Sequence, residues 1–301
     1  MNSRPALSLI IPTRKRPAQL HRLLTSLADT TTYPQAVEIL LVVDADDPDS
    51  APAAFAPLLL KRVIVPPGLT MGALNLAGYH ASSGDYLMLL NDDVVARTRD
   101  WDQHVLGCFH RFPDGIALVH TNDTVFSREL CVFPLVSRIF CELAGGICPP
   151  DYTRYRIDDH IHDVFKLLAI LDEPRVVYLP EVIFEHDHFV TRSDGRREYL
   201  SDLKVLARDA PRFIGLLPER KALALKLKEH IEHHRGRTLS PEYRTRLDNF
   251  TPSFPPLPPP TGLLPRLAAS GQRAFRCWRN KGFPGLLRAG WRRLLRRPAP
   301  L

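Results

Sequence analysis

Asn91, Asp92 and Asp93 follow directly on the apolar run Tyr86-Leu87-Met88-Leu89-Leu90. Two adjacent carboxylates repel each other unless a cation or a basic ligand lies between them. Hard oxygen donors of this kind suit Mg²⁺ or Mn²⁺, which share their coordination shell with substrate phosphates. If the apolar run is a strand of a mostly parallel sheet, its carboxyl end is where a ligand binds. A solvated turn uses the same residue types, so the triplet needs support from the rest of the chain.

Two further strand ends supply it. Leu7 to Ile11 is apolar and runs into Pro12, Thr13, Arg14, Lys15 and Arg16. A hydroxyl and cations there suit the phosphates or ribose of a nucleotide. Glu38 to Val43 closes on Asp44-Ala45-Asp46, whose carboxylates can accept from a base N–H or from ribose hydroxyls. Gly68 and Gly72 flank a helix start where a backbone could approach a nucleotide closely. The chain has no G-x-G-x-x-G and no Walker A pattern, which counts against dinucleotide and P-loop readings. A sugar-phosphate nucleotidyltransferase would place a glycine-rich basic loop after the first strand, and Pro12 to Pro17 contains no glycine.

Four segments taken in order resemble the GT-A glycosyltransferases of family 2. They are Ser8 to Arg14, Leu41 to Asp46, Gly72 to Gly78 with Asn75, and Gly84-Asp85-Tyr86 through Leu90-Asn91-Asp92-Asp93. The resemblance covers roughly residues 6–190. It implies a metal-dependent transfer, of the hexosyl-transferring type, from a nucleotide-diphospho-sugar to an acceptor hydroxyl. Pro12, Thr13, Arg14, Arg16, Asp44, Asp46, Gly72, Asn75, Asn91 and Asp92 would contact the donor. Asp93, the last acid of the D-x-D-like element, would bind Mn²⁺ or Mg²⁺. Asn91 stands where the first acid often stands, and its amide oxygen can still reach ribose or metal-bound water. The late sequence Glu185-His186-Asp187-His188 resembles the family's histidine that completes the metal shell, with His186 first and His188 second. Asp158-Asp159 resembles the acidic pair before a helix whose second member is the general base, so Asp159 is the first candidate and Asp158 the next. A helix N-cap is the plain alternative for that pair. Inversion at the anomeric carbon is the family's usual outcome.

The elements that must position these groups follow from periodicity. Apolar strands are expected at Leu7–Ile11, Glu38–Val43, Lys61–Val65, Asp85–Leu90 and Ile116–His120, with edge segments at Val176–Leu179 and Val182–Phe184. Helices are expected over 18–28, from Gly68, after Asp159, over Ser201–Ala207 and over Arg220–His234. Strands alternating with helices argue an α/β fold, a mainly parallel sheet with helices on both faces, followed by a helical extension. The division expected is a catalytic domain over 1–195, with a nucleotide half to about 95 and an acceptor half beyond it. An extension over 196–250, a proline-rich spacer over 251–261 and a tail over 262–301 complete it. Gly145-Gly146-Ile147-Cys148-Pro149-Pro150 reads as a flexible loop shaping the acceptor site. His160 and His162 read as surface or supporting groups, and Trp101 and Phe126 as core aromatics rather than sugar-stacking ones.

Composition is that of a soluble globular chain, 45% apolar and 24% charged over 301 residues. Five cysteines without C-x-x-C spacing point to neither a disulfide framework nor a zinc ribbon. No secretory core precedes the first strand, and no apolar run reaches a membrane span. The net charge of +7 is concentrated: residues 262–301 hold ten Lys/Arg and no acid, whereas the other 261 residues hold 30 basic and 33 acidic groups. Leu287, Trp291, Leu294 and Leu295 share one helical face among arginines, which fits an anionic membrane surface better than nucleic acid. The expected location is cytoplasmic, peripheral at the inner membrane face, with a saccharide or lipid-linked acceptor. Deleting 262–301 should then abolish cosedimentation with anionic liposomes, and unchanged binding would remove the anchor. A non-catalytic membrane-bound scaffold with the same fold is the competing reading.

Overall fold

A computed structural model describes residues 5–186, 205 and 208–251. His188, nearly all of 201–207, the proline-rich spacer beyond Thr251 and the tail lie outside the described residues, and so do the expectations attached to them.

The first strand β1 (Leu7–Thr13) is flanked by β2 (Val37–Asp44) and β4 (Tyr86–Leu89), and β3 (Leu59–Val65) lies outside β2. These four pair in parallel. Beyond β4 come β7 (Leu135–Ser137), β6 (Leu118–Asn122), β8 (Val176–His186) and β5 (Val94–Ala96), giving the order β3-β2-β1-β4-β7-β6-β8-β5. The sheet is therefore mixed. Its first half is parallel as expected, but β7 runs antiparallel to β4 and β6, and β5 antiparallel to β8. The link of residues 90–93 is too short for a parallel crossover, and β5 instead joins the far edge of the sheet.

Helices cover both faces. Along β1, Leu7, Leu9 and Ile11 enter one core with Leu20, Leu23, Leu24 and Leu27 of α1 (Pro17–Thr30). Ile10 enters the opposite core with Leu87 and Leu89. This is strand alternation with both sides buried. The second core also takes Met71, Leu74 and Ala77 from α2 (Met71–Ala81), Phe140 from α4 (Arg138–Ala144), and Phe165 and Leu168 from α5 (Ile157–Ile170). Trp101 opens the short helix α3 (Trp101–Gly107), fully buried and edge-on to Phe184, as a core aromatic should be.

The helical extension shares this core. From α6 (Leu217–His234), Leu227 and Ile231 pack with α5, and α7 (Pro241–Asp248) adds Leu247. A charged cluster fixes the same junction. Glu173 accepts from Arg175 Nε at 3.0 Å and Lys228 Nζ at 2.9 Å, and Arg175 pairs with Asp114 at 2.7 Å.

Two late segments expected as separate strands are one strand, β8. The pairing of β6 with β8 jumps from Thr121↔Leu179 to Asn122↔Ile183. The irregularity accommodates Pro180, which has no N–H for the ladder, and Asn122 Nδ2 donates to its carbonyl at 3.2 Å.

Candidate active site

The site lies at the carboxyl ends of β1 and β4, where residues 90–93 turn towards β5. Thr13 closes β1 and donates its hydroxyl to Asp92 Oδ2 at 2.8 Å. Arg16 Nη1 lies 3.2 Å from Asp92 Oδ1 and 3.2 Å from Asp93 Oδ2. The register of the β5–β8 pair brings the histidine. Val94 lies opposite His186, so the residue before Val94 meets the end of β8. His186 Nε2 is accordingly 3.3 Å from Asp93 Oδ1 and 3.1 Å from Asn91 Nδ2.

Burial separates the two acids electrostatically. For Asp92, desolvation raises the carboxyl above its ordinary value, and the charge of Arg16 and the Thr13 hydrogen bond only partly offset it. For Asp93, desolvation acts in the same direction, but the hydrogen bond and charge of His186, with Arg16, outweigh it and hold the carboxyl below the ordinary range. Asp93 is thus the more readily ionised member of the pair.

These groups line a cavity of about 310 Å³, within the range of small-molecule sites. Its walls include Pro12, Arg16, Asn75, Asn91, Asp92, Asp93, Asp158 and His186 among the residues singled out from sequence. Thr13, Arg14, Asp44, Asp46, Gly72 and Asp159 are not in that wall. Arg14 instead pairs with Asp44 and, at 2.8 Å, with Asp46. Gly72 meets protein rather than cavity. A Cβ there would fall 2.3 Å from the Pro149 carbonyl oxygen, and its N–H donates to the Tyr152 carbonyl at 3.0 Å. The N–H of Met71 likewise donates to Thr153 at 3.0 Å, so the start of α2 is taken up by the 149–153 backbone. That pairing also corrects the reading of Gly145 to Pro150 as a flexible loop: Ile147 and Cys148 within it are buried, and the Pro150 carbonyl accepts from the Thr70 hydroxyl at the start of α2.

At the start of α5 the acidic pair divides. Asp158 faces the cavity, and its Oδ1 accepts from the Asp159 N–H at 2.9 Å. Asp159 pairs with Arg156 Nη1 at 3.0 Å. The preceding loop is held by Asp209, buried in the extension, which accepts from the N–H groups of Thr153, Arg154 and Tyr155 at 2.8–3.0 Å. Sequence reasoning missed this anchor, and it missed Arg154, Tyr155, Leu130, Val132 and Pro134 as cavity wall. Arg154 and Tyr155 lie four and three residues before Asp158, and nearness to the acidic pair was the only available signal. Phe126 is buried, as a core aromatic should be, yet it also lines the cavity.

His160 and His162 are not surface groups. Helix α5 lies between the sheet and α6, and both histidines are buried. Tyr152 Oη lies 3.0 Å from His160 Nδ1, and the His162 ring lies 6.2 Å from that of buried His120. Burial first, then nearby positive charge, pushes His160 and His162 down to about 3 and His120 to about 4. All three are neutral in the fold but protonate in the unfolded chain below about pH 6.5. Unfolding therefore takes up protons there, and stability falls as pH drops from about 6.5 towards 4. Between about pH 7 and about pH 5.5 the unfolding free energy should fall by about 3 kcal/mol. Urea titrations at the two pH values measure this, and His120→Gln should remove about a third of the difference.

A divalent ion fits the donor set at Asp93, His186 and Asn91. Among the described residues, no three His, Cys, Asp or Glu side chains gather as a self-sufficient metal cage. Mg²⁺ and Mn²⁺ do not require one, because one or two protein ligands are completed by substrate phosphates and water. His186 Nε2 lies beside Asp93 Oδ1, and both atoms can bind a cation directly, whereas Asn91 presents its amide N–H there and would have to turn its oxygen inward to join them.

Residues 8–128 match the family model described as Glycosyl transferase family 2. This stretch is a family 2 glycosyltransferase domain. The matched stretch runs from β1 past the acidic turn and contains Asp44, Asn75 and Asp93. Among solved structures, the mannosyltransferase PcManGT from Pyrobaculum calidifontis aligns with a TM-score of 0.53 at 15% identity, covering 82% of this chain and 79% of its own. TarS of S. aureus, residues 1–349, aligns with a TM-score of 0.47 at 12% identity, covering 81% and 78%. No curated protein matches the chain by sequence. The fold of this glycosyltransferase is GT-A, with eight strands in one mixed sheet. Among the described residues no helix is long and apolar enough to cross a membrane.

Proposed function

We propose that this glycosyltransferase takes its sugar from a nucleotide-diphospho-sugar, with a divalent cation at Asp93 and His186, and passes it with inversion to an acceptor hydroxyl. The observation that carries the reading is the convergence of Asn91, Asp93 and His186 in one cavity with Asp158. A fold relative, PcManGT, is a complex with GDP-Man and Mn²⁺, which supports the same donor class by analogy. When bound, the cation would supply positive charge to the leaving nucleoside diphosphate.

The chain's own residues do the rest. Asn75, Asn91 and Arg16 contact the donor from the cavity wall, and Thr13 keeps the Asp92 carboxylate in place behind them. The carboxylate of Asp158 takes the proton of the acceptor hydroxyl as its oxygen bonds to the anomeric carbon. The bond from that carbon to the diphosphate oxygen breaks, and the electron pair leaves with the diphosphate. Asp158 is preferred to Asp159 because it faces the cavity, while Asp159 is paired with Arg156. Catalysis belongs to the domain over 1–195, with 196–250 as its helical support. An acceptor in envelope polysaccharide or glycolipid synthesis accords with the basic tail. The test is a thermal-shift panel of nucleoside diphosphates and nucleotide-sugars with and without Mn²⁺. A ligand that binds only the folded chain raises Tm. One nucleotide should give a shift that needs Mn²⁺ and disappears in Asp93→Ala, and no shift with any nucleotide would reject the donor.

A further inference from the structure

We propose that Arg16 is the resident cation of the metal site, holding Asp92 and Asp93 while no divalent ion is bound and moving to the donor's diphosphate when one enters. This rests on the donor and metal reading above. One guanidinium nitrogen, Nη1, is shared between the two acids at 3.2 Å each. Charge-assisted N–H···O⁻ bonds are ordinarily 2.7–2.9 Å, so both contacts are long. They compensate one buried and one partly buried carboxylate without closing tightly on either.

The two sides of the contact differ in how they are held. Asp92 is fixed from its other oxygen by Thr13, and the residues that follow run directly into β5. The Arg16 side chain is 36% exposed and belongs to the residue that caps α1 before Pro17. Its guanidinium can leave the acids without disturbing either core, since Arg16 belongs to neither, whereas Asp92 stays tied to β1 through Thr13. Arg16 also lines the cavity, so its head has somewhere to go. A planar fork of N–H donors matches phosphate oxygens. A divalent ion at Asp93 and His186 repels the guanidinium and competes for Asp93. The incoming diphosphate then offers it two new acceptors.

The exchange predicts effects of opposite sign. In Arg16→Met, which keeps an unbranched stem and removes the charge, Mn²⁺ alone should bind roughly two- to fivefold more tightly, since a competing cation is gone. UDP or GDP, whichever binds the wild type with saturating Mn²⁺, should bind about tenfold more weakly or worse. Arg16→Lys should return Mn²⁺ affinity towards the wild-type value. Electron paramagnetic resonance titration of the full chain gives the first quantity and calorimetry the second. If the wild type binds Mn²⁺ and Arg16→Met binds it equally or more weakly, Arg16 is no competitor and the proposal is overturned. An unchanged nucleotide affinity in Arg16→Met overturns it equally. If the wild type itself binds neither Mn²⁺ nor nucleotide, the donor and metal reading has failed, and the exchange fails with it.

Discussion

Asp93→Ala should lower kcat/KM by about 10²- to 10³-fold while leaving the protein folded. The loss follows from the charge Asp93 contributes. It is the acid that His186 and Arg16 hold ionised, and it is the only carboxylate in hydrogen-bonding range of His186 among the described residues. A metal's stabilisation of a leaving diphosphate is worth several kcal/mol, and about 3–4 kcal/mol corresponds to two to three orders of magnitude. The fold should tolerate the change because Asp93 takes part in neither core. Removing it also relieves repulsion with Asp92, which keeps Thr13 and Arg16. Steady-state kinetics with saturating Mn²⁺, beside the melting temperature of the unliganded protein, separates the two effects. Retention of more than about a tenth of the activity would show that the charge at Asp93 is not what the reaction uses.

Legibility differed by region for physical reasons. β1, β2 and the β4 run were readable because parallel strands buried on both faces are nearly continuous apolar runs. Their polar ends were readable because chemistry gathers there. β5 and β7 were not, since three-residue strands carry no period. The position of His186 depends on the β5–β8 register, which no local pattern encodes; its place in the sequence came from family resemblance alone. The surroundings of Gly72 and Arg14 were not legible for another reason. Glycine at a helix start and arginine at a strand end look the same whether they meet a ligand or the protein's own backbone and acids. Asp209 was invisible because it acts from some fifty residues away on the loop it holds.

Asp158→Asn should lower kcat by about 10²- to 10⁴-fold, the range a positioned general base contributes, with the affinity for nucleotide and Mn²⁺ unchanged. Asp159→Asn should cost much less. The two residues are neighbours on the first turn of α5 and are equivalent by composition; helix geometry separates them. Consecutive residues on a helix point about 100° apart, and here the cavity is lined by Asp158 and not by Asp159. Asp159 reaches back to Arg156, whose backbone is left-handed at φ 74° and whose side chain is buried. Its loss would leave that guanidinium without its carboxylate and loosen the entry to the helix, which should appear as a lowered Tm more than as a lowered kcat. The pH profile adds a second discriminator. If Asp158 is the base, the acidic limb of kcat in the wild type should disappear from what activity Asp158→Asn retains, and persist in Asp159→Asn. The opposite ranking, with Asp159→Asn the inactive variant at unchanged Tm, would transfer the role to Asp159 and require α5 to turn when the acceptor binds.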